Sequence, residues 1–72
     1  MKAIRKISIG PDYKNGSMHY AKNQEVYGGH RINSILENKE GYEIYIEKDQ
    51  EILPWKTINK NMAIVIEYDL EY

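Results

Sequence analysis

Apolar and polar positions alternate most clearly toward the C-terminal end of the chain. Met62, Ile64, Ile66, Tyr68, Leu70 and Tyr72 stand on one parity, and Ala63, Val65, Glu67, Asp69 and Glu71 on the other. Side chains of a strand point alternately to its two faces, so this spacing predicts a half-buried strand whose outer face turns acidic. The strength of the pattern places Met62–Tyr68 at the centre of a sheet, with Ile64, Ile66 and Tyr68 on its apolar face. Tyr42, Ile44 and Ile46 alternate in the same way with Glu43, Tyr45 and Glu47. Ile4, Ile7 and Ile9 are spaced by three and then by two, as a strand with one inserted residue would be. Ile32, Ile35 and Leu36 mark a less regular strand within Arg31–Glu37.

Breaks in the pattern fall at turn residues. Gly10-Pro11 ends the first strand, because proline has no N–H for a ladder. Lys14-Asn15-Gly16-Ser17 reads as a turn, and Asn38-Lys39-Glu40-Gly41 as a hairpin turn in which Gly41 supplies a positive φ. Met18–Tyr20 and Glu25–Tyr27 read as short strands, with a break after them at Gly28-Gly29. Lys48-Asp49-Gln50-Glu51 separates the Tyr42 strand from Ile52-Leu53. Pro54 confines the residues after it to an edge strand or a turn, and Trp55 is placed as a lid on the core. A single helical turn fits Trp55–Asn59, with Asn59-Lys60-Asn61 as the last loop. No longer window carries a helical period. The expected fold is therefore all-β: one small antiparallel sheet curled into a five- or six-stranded barrel-like domain spanning residues 1–72, with at most one short helical turn.

Composition changes this picture in three ways. Seventy-two residues leave much of the surface exposed, and the chain has no cysteine to staple it, so burial against a second copy is expected. No apolar run approaches the roughly 18 residues of a membrane span, and Met1–Lys6 leads into an alternating segment rather than a signal peptide. A cytoplasmic protein is the expectation, without membrane contact. The net charge of −1 gives no global field for nucleic acid, and no sequence-specific nucleic-acid binding is expected. That balance hides an asymmetry: residues 1–39 carry +4 and residues 40–72 carry −5. An anionic ligand, if there is one, would meet the first half; the plainer reading, and the preferred one, is that oppositely charged strands pair across the sheet.

The segment from Asp12 to Arg31 is richest in functional side chains. Glycines let a ligand approach backbone N–H groups, Lys, Arg and His can neutralise a phosphate, and Tyr and His rings can stack on a base. Gly28-Gly29-His30-Arg31 is thus a candidate anion cradle. His19 and Tyr20 form a candidate recognition pair, and Tyr13 and Lys14 could complete the ligand contacts. Arg31 is the sharpest choice, because its planar fork grips a phosphate bidentately. His19, His30 and Asp12 lack standard metal-ligand spacing, so no metal and no cofactor are expected. Glu67, Asp69 and Glu71 share a strand face, as do Glu43 and Glu47, but acidic alternation more often marks a solvent face than an acid–base pair. The expectation is a binding protein, not an enzyme, with a small hydrolase as the catalytic alternative.

Lys6–Lys14, Met18-His19-Tyr20, Gly28-Gly29, Ile46–Asp49, Pro54-Trp55-Lys56 and Ile66-Glu67-Tyr68 together resemble small uncharacterised proteins of tailed bacteriophages. The likeness spans nearly the whole chain, and the abundance of Ile, Lys, Tyr and Asn suits an AT-rich genome. Small β-rich phage proteins of this size include anti-defence sponges, which oligomerise and sequester the nucleotide signals of bacterial immunity. By analogy of size and class, the resemblance implies a viral protein in the host cell that captures an anionic nucleotide-like ligand. The rival reading is a protein–protein interaction module, an inhibitor or virion component using a Tyr-rich surface or an open sheet edge.

Overall fold

The computed structural model describes residues 2–10 and 18–69; Tyr13, Lys14, the Lys14–Ser17 turn and Leu70–Tyr72 fall outside that range. Six strands form one antiparallel sheet: β1 (Lys2–Ile9), β2 (Met18–Ala21), β3 (Arg31–Glu37), β4 (Gly41–Lys48), β5 (Glu51–Asn59) and β6 (Ala63–Tyr68). β1 is the hub. β6 runs along one of its sides, while the other is shared by β3, against Lys2–Ile4, and β2, against Lys6–Ile9. β3 leads on to β4 and then β5. The fold is thus all-β and antiparallel, as its patterning predicts. The sheet does not close: among the described residues β5 pairs only with β4 and β6 only with β1. No described helix is long and apolar enough to cross a membrane.

Among the described strands four residues are inserted; one is Ile64 of β6 against β1, and the other three bring the isoleucines onto one face. Arg5 is the extra residue of β1 against β6, Asn33 that of β3 against β4, and Trp55 that of β5 against β4. An extra residue reverses the alternation beyond it. Ile4 therefore joins Ile7 and Ile9, and Ile32 joins Ile35, despite odd spacings. With Tyr20, Tyr42, Ile44, Ile46 and Ile58 they form the buried core. Trp55, Met62, Ala63, Val26 and Ile66 pack against it partly covered, so Trp55 sits where a lid is expected.

Several local expectations are corrected. The Met62–Tyr68 segment forms an edge strand rather than a central one. Val65 is 53% exposed, Tyr68 is 39% exposed with its hydroxyl on Glu37, and Ile66 is only partly buried; the side chain of Ile64 lies outside the description. Period-two alternation reports which face a residue takes, not how many strands flank it, and the central place goes to the less regular β1. The predicted helical turn at Trp55–Asn59 is strand, held by pairing with β4 as far as Asn59. One 3-10 turn comes after it instead, at Lys60–Met62. Glu25–Tyr27 is not a strand; Glu25 makes a single bridge to Arg31.

Gly41 does not take the left-handed region. Its turn is held by Asn38, whose Oδ1 accepts the N–H groups of Glu40 and Gly41 at 2.9 Å each. Glycine is required there for space, since a Cβ would stand 2.1 Å from the Ile58 carbonyl oxygen. The charge asymmetry is partly spent within the fold, because Arg5 pairs with Glu67 at 3.0 Å and Lys22 with Asp69 at 2.8 Å.

Candidate functional site

Residues 22–30 fold into a compact excursion between β2 and β3. Asn23 takes a positive φ of 70°, an accessible conformation for asparagine, and its N–H reaches the Ile32 carbonyl at 2.8 Å. The Ile32 N–H returns to the Gln24 carbonyl at 2.9 Å, and the Val26 N–H to the His30 carbonyl at 3.0 Å. The tip is Tyr27-Gly28-Gly29-His30, closed by a 2.8 Å bond from the His30 N–H to the Tyr27 carbonyl. Gly28 and Gly29 have φ of 54° and 81°, the mirror-image turn that favours glycine. The sequence therefore places both glycines where the backbone needs them.

The same turn brings two rings together. Tyr27 and His30 stack with centroids 4.9 Å apart and planes 27° apart. His30 Nδ1 lies 3.1 Å from the Tyr27 carbonyl oxygen, which fixes the imidazole over the turn. Tyr27 also leans on Trp55 at 6.2 Å, and Trp55 meets the Tyr20 ring edge-on at 5.7 Å. A row of four rings thus runs from the core to the surface. Lys56 Nζ stands 4.8 Å from the Trp55 ring centroid and adds a cation to the row.

An open cleft of about 270 Å³ lies on the Arg31 side of the turn, lined by Asn23, Gly29, Arg31, Ile32, Glu47, Lys48 and Asp49. Pairing of Arg31 with Glu47 sets the start of β3 beside the end of β4, which delivers Lys48 to Gly29. A Cβ on Gly29 would stand 3.6 Å from Lys48 Cε. Arg31 Nη1 donates to the Asn23 carbonyl at 3.1 Å, holding the guanidinium at the cleft. Neither Arg31 nor Lys48 forms an ion pair among the described residues. Glu47 accepts a 2.8 Å bond from Asn33 Nδ2, and Asp49 begins the next turn.

Of the candidate residues, Gly28, Gly29, His30 and Arg31 come together at this turn. Tyr20 is buried at 5% exposure and connects to it only through the row of rings. Burial raises its hydroxyl pKa above 10.0. His19 stands elsewhere, across β1 and β2 from Ser8, with Nδ1 2.8 Å from the Ser8 hydroxyl. The sequence reading missed Lys48 and Trp55. Their only early signal was position: Lys48 borders a turn, and Trp55 directly succeeds a strand-breaking proline. No group of three His, Cys, Asp or Glu side chains is placed to hold a metal among the described residues.

Of the carboxylates considered for acid–base work, Glu71 lies outside the described residues and the other four are engaged, Glu47 with Asn33. Glu67 and Asp69 are held in ion pairs. Glu43 accepts the Tyr45 hydroxyl at 2.9 Å, which raises the Tyr45 pKa above 10.0 through that bond and the charge beside it. Fold and cleft together define a small open-sheet β domain carrying an aromatic-edged turn beside a cleft lined by two cations and two carboxylates. No family model, curated protein or solved structure matches the chain.

Proposed function

We propose that this chain is a non-catalytic binding protein that captures an anionic, ring-bearing small molecule of the nucleotide type. The observation that supports this most is that Arg31, Gly29 and Lys48 line one open cleft, with Lys48 close to Gly29 and the Tyr27–His30 stack on the same turn. In this reading a phosphate sits between the Arg31 fork and the Lys48 ammonium, close to the Gly29 backbone. The ring of the ligand lies against Tyr27 and His30. Glu47 and Asp49 accept from ligand hydroxyls and disfavour highly charged polyanions. With the resemblance to phage proteins, the reading extends to capture of an immune nucleotide signal in an infected cell.

The test is calorimetric titration with cyclic nucleotides and ADP-ribose derivatives. Arg31→Ala is expected to weaken binding by about 1.5–3 kcal/mol, the range for hydrogen bonds to a charged group. Lys48→Ala is expected to act in the same direction, while Tyr20→Phe leaves affinity unchanged because that ring is buried. Absence of binding across the panel, or indifference to both Arg31→Ala and His30→Ala, refutes the site. The protein-interaction reading then takes its place. It rests on Met18, Tyr27 and Leu53, which are 56%, 53% and 41% exposed.

A further inference from the structure

The two ends of the sheet are built differently. β5 is interrupted at Pro54, which has no N–H to offer, and kinked at the inserted Trp55. Proline, bulges and lysines are the usual means of keeping an edge strand from pairing with another chain. β6 carries one insertion, at Ile64, and the charged Glu67, but from Val65 to Tyr68 it has no proline, lysine or inserted residue of its own. The Asp69 N–H bonds to the Ala3 carbonyl at 3.0 Å, which fixes the phase of the β1–β6 ladder. By that phase Val65 and Glu67 turn their backbone groups toward β1, and Ile66 turns its own away. No described strand lies beyond Ile66.

We propose that β6 is the contact through which two copies of this chain pair, antiparallel, about a two-fold axis at Ile66. Ile66 then exchanges hydrogen bonds with its own copy, and Val65 lies opposite the partner's Glu67. Charge selects this register. Other alignments allowed by the hydrogen-bond phase centre on Glu67 or Tyr68 and set Glu67 against its own copy or against the partner's Asp69, which is unfavourable, while one centred on Val65 would run the pairing through the inserted Ile64. The blocked β5 edge selects the symmetry. A strand added head-to-tail, β6 on β5, would continue without limit, whereas β6 on β6 closes as a dimer. The pairing covers Val65, which is 53% exposed, and the uncovered part of Ile66. It also supplies the burial that so small a chain lacks. This surface is separate from the Arg31–Lys48 cleft, so either proposal can fail alone.

Sedimentation equilibrium of the full chain across the micromolar range tests the pairing, with circular dichroism to confirm the fold of each variant. Wild type is expected to dimerise. Val65→Glu places a second carboxylate against the partner's Glu67 twice per dimer and is expected to weaken dimerisation about tenfold. Val65→Lys places opposite charges there and is expected to leave the dimer as tight or tighter. Val65→Glu combined with Glu67→Lys is expected to restore the dimer. Leu53→Glu on β5 is expected to leave it unchanged. A monomer at all concentrations, equal damage from Val65→Glu and Val65→Lys, or dissociation by Leu53→Glu would overturn the proposal.

Discussion

Gly41→Ala isolates a steric contact that joins the start of β4 to the end of β5. The added methyl would lie 2.1 Å from the Ile58 carbonyl oxygen, 3.2 Å from its carbon and 3.4 Å from Asn59 Cα. All three are backbone atoms within a ladder, so no side chain can swing away. Relief needs about 1.4 Å of separation at that oxygen, since a methyl carbon rests at about 3.5 Å or more from its neighbours. That displacement disturbs the pairings Gly41–Asn59 and Tyr42–Ile58. Tyr42 and Ile58 are 5% and 3% exposed, so it also loosens a sealed part of the core. Overpacking of this kind costs about 1–3 kcal/mol, and each lost ladder bond adds about 1 kcal/mol. The lower entropy of alanine in the unfolded chain returns only about 0.4–1 kcal/mol. The net expectation is a loss of about 2–3 kcal/mol. Urea unfolding monitored by Trp55 fluorescence measures it by linear extrapolation. Because Gly41 is not in the left-handed region, a backbone-conformation penalty has no part in the estimate. A measured loss below about 0.5 kcal/mol, the ordinary scale of a surface substitution, refutes the steric argument.

Other expectations rest on the same geometry. Asp49 and Gln50 have φ of 54° and 69°, a two-residue turn built without glycine, so Gln50→Gly is expected to raise stability by about 0.5–1 kcal/mol in thermal unfolding. Ile44→Ala, at a fully buried position, is expected to cost about 2–5 kcal/mol. Ile66→Ala, on an edge strand of the single chain and partly covered, is expected to cost the monomer about 1 kcal/mol; losses equal to those of Ile44→Ala in chemical denaturation below the dimerisation range would contradict the edge position of β6. Burial raises the Tyr20 pKa above 10.0, so the unfolded chain releases this proton first. The resulting stability is full below pH 10.0 and is lost as pH rises through the raised folded value. Tyr20→Phe is expected to flatten that decline in a pH series of urea midpoints, and an unchanged slope would count against it.

On the proposed reading, a chain of −1 net charge meets an anion through a local pair of cations. Arg5 and Lys22 neutralise carboxylates of the acidic C-terminal part, whereas Arg31 and Lys48 line one cleft with Gly29, Glu47 and Asp49 and form no ion pair among the described residues. Local arrangement, not total charge, sets the potential that a small ligand meets.

Fold class and much of the turn chemistry were legible in the residues alone. Alternation in Tyr42–Glu47 gave the inward face of β4 correctly, with Tyr42, Ile44 and Ile46 all buried. The three-then-two spacing of Ile4, Ile7 and Ile9 announced the insertion at Arg5. Pro54 marked an edge strand, and Gly28-Gly29 marked a turn that needs positive φ. These are local properties, fixed by the pleat and by backbone sterics within a few residues. Strand order, however, depends on which ladder forms across long separations, and no local pattern encodes it. That β1, not β6, is central and that the sheet stays open therefore emerged from the folded arrangement. The same holds for the site. Arg31 and its glycines are neighbours in sequence, but Lys48 reaches them through the β3–β4 register, and Tyr20 is drawn into the core by Trp55 from β5. Side chains that meet across strands are placed by the sum of all the pairings, and that sum exists only in the folded chain.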